Sequence, residues 1–141
     1  MIIRKMLLSD YENVYGLWIS TPGMGLNAAD DSEAGIEKFL QRNPDTCFVA
    51  EEGCEIIGVI LSGHDGRRGL IYHLAVKPSE RGRGAGSALL DHAEEALRKE
   101  GIGKIYIVVF AANEAGNAFW EKRGYTAPDD VVYRTKRIIP L

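Results

Sequence analysis

Seven residues, Arg81-Gly82-Arg83-Gly84-Ala85-Gly86-Ser87, stand between a run ending Leu74-Ala75-Val76-Lys77-Pro78 and a run with helical spacing. At a helix start the first backbone N–H groups have no partner within the helix and sit at the positive end of its dipole. Glycines leave that backbone open to a close-lying ligand, and the two arginines add planar charged donors. The chemistry this stretch can perform is to hold an anion, phosphate above all. The same glycines would also suit a helix entrance packed tightly on a sheet and binding nothing. The arginines favour phosphate, because they supply donors rather than packing.

Two familiar phosphate loops fit poorly. A P-loop requires G-x-x-x-x-G-K-[ST], which the chain lacks. A dinucleotide fingerprint requires a third glycine where Ser87 stands and an acidic residue closing the next strand, where the chain reads Phe110-Ala111-Ala112. Cys47 and Cys54 lack C-x-x-C spacing and a paired histidine, so they read as reduced thiols rather than a disulfide or a zinc site.

The elements that must position this stretch follow from periodicity. Ile2 to Leu7 reads as a first strand. Ser9 and Glu12 form a capping box opening a helix with Val14, Leu17 and Trp18 on one face. Residues 21 to 31 (TPGMGLNAADD) read as a mobile loop, and a second helix runs from about Ser32 to Arg42. Three strands follow, Thr46 to Glu51, Glu55 to Gly63 and Leu70 to Lys77, joined by turns at Glu52-Gly53 and Asp65-Gly66 short enough to make them antiparallel. The helix after the glycines buries Leu89, Leu90, Ala93, Ala96 and Leu97, carries Glu94/Arg98 and Glu95/Lys99 as ion pairs, and stops at Gly101. Lys104 to Phe110 reads as a strand buried on both faces and parallel to Leu70–Val76 through the helical crossover. A last helix, Asn113 to Arg123, precedes closing strands at Tyr125 and Val131 to Ile138.

The fold class expected is therefore α/β (α+β): a mixed, mostly antiparallel sheet of six to seven strands with a parallel central pair and helices on both faces. The 141 residues suit one domain spanning 1–141. A net charge of −3 at 45% apolar and 26% charged residues gives no long-range pull toward nucleic acid. Neither a signal-peptide core at the N-terminus nor an apolar run of membrane-spanning length is evident, so the chain reads as cytoplasmic, with no membrane partner.

Arg81-x-x-Gly84-x-Gly86 after Val76-Lys77-Pro78, together with Asn113-Glu-Ala-Gly-Asn-Ala-Phe-Trp-Glu-Lys-Arg-Gly-Tyr125, resembles the two hallmarks of the GNAT N-acetyltransferase family, and the order of elements is similar throughout. Within the family, the stretch from Gly63 to Gly84 looks most similar to YpeA-type members. The resemblance implies the acyl-CoA N-acyltransferase fold, with its central parallel pair splayed. It implies acetyl-CoA as acyl donor, no metal, and transfer of acetyl to a primary amine by direct attack through a tetrahedral intermediate. Backbone groups of Leu74, Ala75 and Val76 would pair with the pantetheine arm, one N–H acting as an oxyanion donor. The amides of Arg81, Gly82, Arg83, Gly84, Ala85, Gly86 and Ser87 would hold the pyrophosphate, and Asn113, which also suits a helix cap, would contact the CoA arm.

Two family positions differ or need care. Where the family usually has a tyrosine proposed to protonate the leaving thiolate, this chain has Trp120, whose indole donates a hydrogen bond but is no practical acid. Trp120 suits either a core aromatic or the lining of the thiol pocket. Tyr72 occupies the position from which members often supply the base, and strict strand alternation puts it on the face of Leu74 and Val76, with His73 turned away. His64, Asp65 and residues 9 to 42 lie where the family binds acceptors. A non-catalytic acyl-CoA-binding regulatory module is the rival reading, suggested by Trp120. Members often dimerise, so a homodimer is a further expectation.

Overall fold

The computed structural model describes residues 1–141, which group into two compact units, Met1–Val108 and Val109–Leu141.

The first unit is built on a five-stranded sheet in the order β1 (Ile2–Lys5), β2 (Phe48–Glu52), β3 (Glu55–His64), β4 (Gly69–Val76) and β5 (Ile105–Ile107). All neighbours are antiparallel except β4 and β5, which are parallel, as the helical crossover between them demands. Gly53 and Gly66, both at positive φ, make the two tight turns. The crossover is α4 (Ala85–Lys99), whose Leu89, Leu90, Ala93 and Leu97 are buried. Gly101, at φ 81°, ends it as the sequence predicts, with Ile102 N–H returning to Leu97 C=O. On its surface Arg98 pairs with Glu95, one turn back.

Helices cover both faces. Phe48 stacks near His92 of α4, and Leu89 Cδ1 stands 3.0 Å from where a Cβ on Gly58 would lie. Residues of opposite parity, Val49, Val59 and Leu61, join Val14, Leu17 and Trp18 of α1 (Tyr11–Ile19) and Ile36 of α3 (Glu33–Arg42) in the other core layer. The α1 entrance differs from the expected Ser9–Glu12 box. A 3-10 turn, Leu8–Asp10, precedes it, and the Asp10 carboxylate receives Leu7 N–H at 2.8 Å while gripping Arg4 with both oxygens. The segment expected as a loop closes with a short helix, α2 (Ala28–Asp31), capped by Asn27.

The sheet has five strands, fewer than the six to seven expected. Regular β5 ends at Ile107, and as an edge strand it is covered less than predicted, with Tyr106 half-exposed. Residues 125–141 form no strand, and Val131, Val132, Tyr133 and Ile138 are exposed. β-branched and aromatic residues are not sufficient for a strand, whose backbone groups need a neighbouring ladder. The second unit is otherwise organised by α5 (Glu114–Lys122) and an aromatic group in which Trp120 lies edge-on to Phe119 and Tyr125, at 5.2 and 5.0 Å.

Candidate active site

Parallel pairing between β4 and β5 stops at Ile71–Ile107. From Tyr72 to Val76, β4 has no strand on that side, although β3 still pairs with it on the other. Lys77 N–H donates to Ile57 C=O at 2.7 Å, which fixes the phase of the ladder. By antiparallel alternation Ala75 and His73 bond toward β3, while the N–H and C=O groups of Leu74 and Val76 point to the open edge. Arg81 Nε, 3.4 Å from Val76 C=O, reaches that edge. Of the three residues expected to pair with a pantetheine arm, Leu74 and Val76 present the backbone groups. Ala75 contributes its side chain to the core instead.

The edge leads through a 3-10 turn, Pro78–Glu80, into the glycine stretch. Gly82 and Gly84 have φ of 82° and 85°, a conformation that strains any residue with a Cβ. A Cβ on either would meet nothing within 4 Å, so close packing is not why these glycines are there. The first bond of α4 is Ala88 N–H to Gly84 C=O, and no side chain caps the helix. The amides of Ala85, Gly86 and Ser87 are therefore left without helical acceptors at the positive end of a 15-residue helix. Gly86 lies inside α4 with ordinary φ, and Ala85 anchors the turn by burying its methyl. Arg83 pairs with Glu80 and, at 3.8 Å, with Glu52. This extended edge running into an uncapped helix start fits a long ligand with a polar amide arm and a pyrophosphate.

The face across β4 from α4 holds the remaining candidates. A register shift between Leu61 and Ser62 leaves Tyr72 as an extra residue, because His73 pairs with Leu61 and Ile71 with Ser62. The bulge breaks the strict alternation expected from the sequence. Leu74 and Val76 pair with Ile60 and Gly58, on the α4 face, whereas Tyr72 meets Phe39 of α3 on the other face. His73 turns to that same face, buried beside Trp18 and 2.8 Å from Asp31. Burial pushes the Asp31 carboxyl up, but His73 and the Asn27 amide outweigh it and leave the pKa lowered. His64 bonds Glu100 at 2.8 Å and receives Gly66 N–H, and Asp65 Oδ1 receives the amides of Arg67 and Arg68; both organise the β3–β4 turn.

In the second unit Asn113 caps α5, its Oδ1 receiving Gly116 N–H at 2.9 Å. Trp120 is 7% exposed. The Asp31–His73 pair escaped sequence reasoning altogether. Its members are 42 residues apart, and an isolated histidine in an apolar strand carries no sign of its partner.

A profile of the acetyltransferase (GNAT) family matches residues 11–125. An acetyltransferase of Sodalis glossinidius is 38% identical over 99% of this chain and 96% of its own, and one of Photorhabdus laumondii is 38% identical with the same coverage. In three dimensions, PaiA N-acetyltransferase of Thermoplasma acidophilum, solved in complex with coenzyme A, matches with a TM-score of 0.78 at 21% identity, over 91% of each chain. With a family match over most of its length and relatives at this identity, the chain belongs to the GNAT family of acetyltransferases.

Proposed function

We propose that this protein is an acetyl-CoA-dependent N-acetyltransferase that moves acetyl to a primary amine, on a small molecule or on a protein N-terminus or lysine. The amine attacks the thioester directly, through a tetrahedral intermediate. The observation that carries this is the open β4 edge at Leu74 and Val76 leading straight into the uncapped start of α4 at Gly84. Acetyl-CoA supplies an activated acyl group; the chain's own residues bind and orient it. Leu74 and Val76 hold the amide arm in strand fashion, and an edge N–H offers the oxyanion a donor. The amides from Arg81 to Ser87 receive the pyrophosphate, with Arg81 and Arg83 adjoining it.

Family pattern assigns Asn113 to the CoA arm; Trp120 stands where the family usually has a tyrosine, and we read it as lining the thiol pocket. A thiol of pKa about 8.5 leaves readily as thiolate, so Trp120 need not act as an acid. An alkylamine of pKa about 10.4 is mostly protonated near neutrality, and Tyr72 is the candidate to relay its proton through water. Residues 1–141 act as one domain in this reading, which the family match across both compact units supports. We further read the protein as cytoplasmic, without nucleic-acid or membrane partners, and as a homodimer. Its −3 charge, two cysteines and lack of a helix long and apolar enough to cross a membrane support the first part; family habit supports the second.

Thiol release from acetyl-CoA, measured across a panel of amines, tests the assignment. Amine-dependent release is expected. Tight CoA binding with no turnover on any amine would favour instead an acyl-CoA-binding regulatory module, the alternative that Trp120 raises.

A further inference from the structure

Acetyl transfer leaves unexplained a buried, hydrogen-bonded carboxylate–imidazole pair on the sheet face opposite α4. Asp31 and His73 have side chains only 5% and 10% exposed, and their Oδ1 and Nε2 lie 2.8 Å apart. Asp31 joins three parts of the unit. Its Oδ2 receives Asn27 N–H at 2.9 Å, its carbonyl receives the Tyr11 hydroxyl of α1 at 2.7 Å, and Oδ1 meets β4 through His73. Trp18, fully buried, lies edge-on to His73 at 4.9 Å, and its Nε1 has no hydrogen-bond partner.

The location gives this pair its meaning. Between Thr21 and Ser32 only Thr21 and Asp31 are buried, and Thr21 bonds back to Leu17 of α1. Met24 and Leu26 pack partly against the core, so Asp31 is the one polar anchor holding the far end of the segment to the sheet. His73 follows the bulge residue Tyr72 and precedes Leu74, whose backbone faces the open edge. Asp31 also lines, with Tyr11, Tyr15 and Leu26, a cavity of about 410 Å³. A buried polar pair of this kind fixes geometry more than it adds net stability over apolar packing.

We propose that Asp31 and His73 are positioning residues for the acceptor amine, a latch that seats residues 21–32 on β4 and thereby sets the wall of the cavity that Asp31 lines. This rests on the acceptor assignment above. The latch acts on the amine side and leaves the pyrophosphate loop untouched.

The test combines kinetics with hydrogen exchange, which needs no turnover. In His73→Ala or Asp31→Ala, exchange of the 21–32 amides is expected to accelerate about tenfold or more. The amine KM should rise about tenfold or more, with kcat and the acetyl-CoA Kd within about threefold. His73→Gln, whose amide can still reach Asp31, should return the amine KM to within about threefold of wild type. Wild-type exchange in 21–32 in either folded alanine variant overturns the latch. If the wild type acetylates no amine, the functional assignment fails and exchange alone decides the latch. If both alanine variants fail to fold, the wild-type protein decides it: protection of 21–32 comparable to β4 supports the latch, and exchange as fast as an unstructured peptide refutes it.

Discussion

Tyr72 lies edge-on to Phe39, ring centroids 5.6 Å apart and planes at 89°, on the face of β4 opposite to Leu74 and Val76. The contact uses the ring, so Tyr72→Phe should keep it, and aromatic pairing of this kind contributes ~0.5–1.5 kcal/mol. If the hydroxyl relays the amine proton, kcat/KM should fall by about 10²-fold and the pH–rate profile should change. Unchanged kcat/KM and pH profile with a working acceptor would remove Tyr72 from the mechanism.

Gly84 combines φ of 85° with open space around its Cα. Gly84→Ala should therefore cost only the backbone strain, about 1–2 kcal/mol. Gly84→Glu adds a carboxylate beside the open amides at the start of α4 and, if these receive the pyrophosphate, should abolish acetyl-CoA binding while far-UV circular dichroism stays native. Titration calorimetry reads the difference, and retained binding by Gly84→Glu would return the glycines to a purely structural role.

Asp10 receives Arg4 Nη1 and Nη2, each at 2.9 Å, and Leu7 N–H at 2.8 Å. The Arg4 hydrogen bonds, with the Leu7 amide and against the effect of burial, lower the Asp10 pKa below its ordinary 3.8, and Asp31 shifts in the same direction. Because the folded values are the depressed ones, both carboxylates stabilise the protein fully above the unfolded pKa. That contribution disappears as pH falls from about 4 through the folded values. Asp10→Ala should cost about 1–3 kcal/mol near neutrality in urea unfolding. It should also weaken the acid dependence below about pH 4. An unaltered acid slope would count against this.

Cys47 is buried, its Sγ 3.2 Å from Ser62 C=O, and burial pushes its thiol up to about 12. Cys54 is exposed in the β2–β3 turn. A thiol reagent should label one cysteine in the native protein and both after denaturation, and Cys54→Ser should abolish native labelling. Fast native modification of Cys47 would show that this core opens readily.

Trp120 packs on Phe119 and Tyr125. Trp120→Ala should destabilise by about 3–5 kcal/mol. Trp120→Phe keeps one aromatic ring while removing the N–H with the rest of the second ring, so kcat should remain within about threefold if the thiolate leaves without an acid. A loss of about 10²-fold in a folded Trp120→Phe variant would place the indole donor in the reaction.

The sequence by itself determined the local and repetitive features. The apolar faces of α1, α3 and α4, the turns at Gly53 and Gly66, the stop at Gly101 and the glycine-rich helix entrance at Arg81–Ser87 all depend on residues close together in the chain, where spacing and glycine conformation decide the outcome. Tertiary pairing decided the rest. Leu70-Ile71-Tyr72-His73-Leu74 reads as uninterrupted alternation. Only the register against Leu61 and Ser62 creates the bulge that sends Tyr72 toward Phe39 and His73 toward Asp31. The segment Val131–Ile138 shows the converse, since β-branched and aromatic residues without a ladder partner leave it outside the sheet. A strand's hydrogen bonds belong to its neighbour, so what β4 offers to a ligand and to α3 follows from the strands beside it as much as from its own residues.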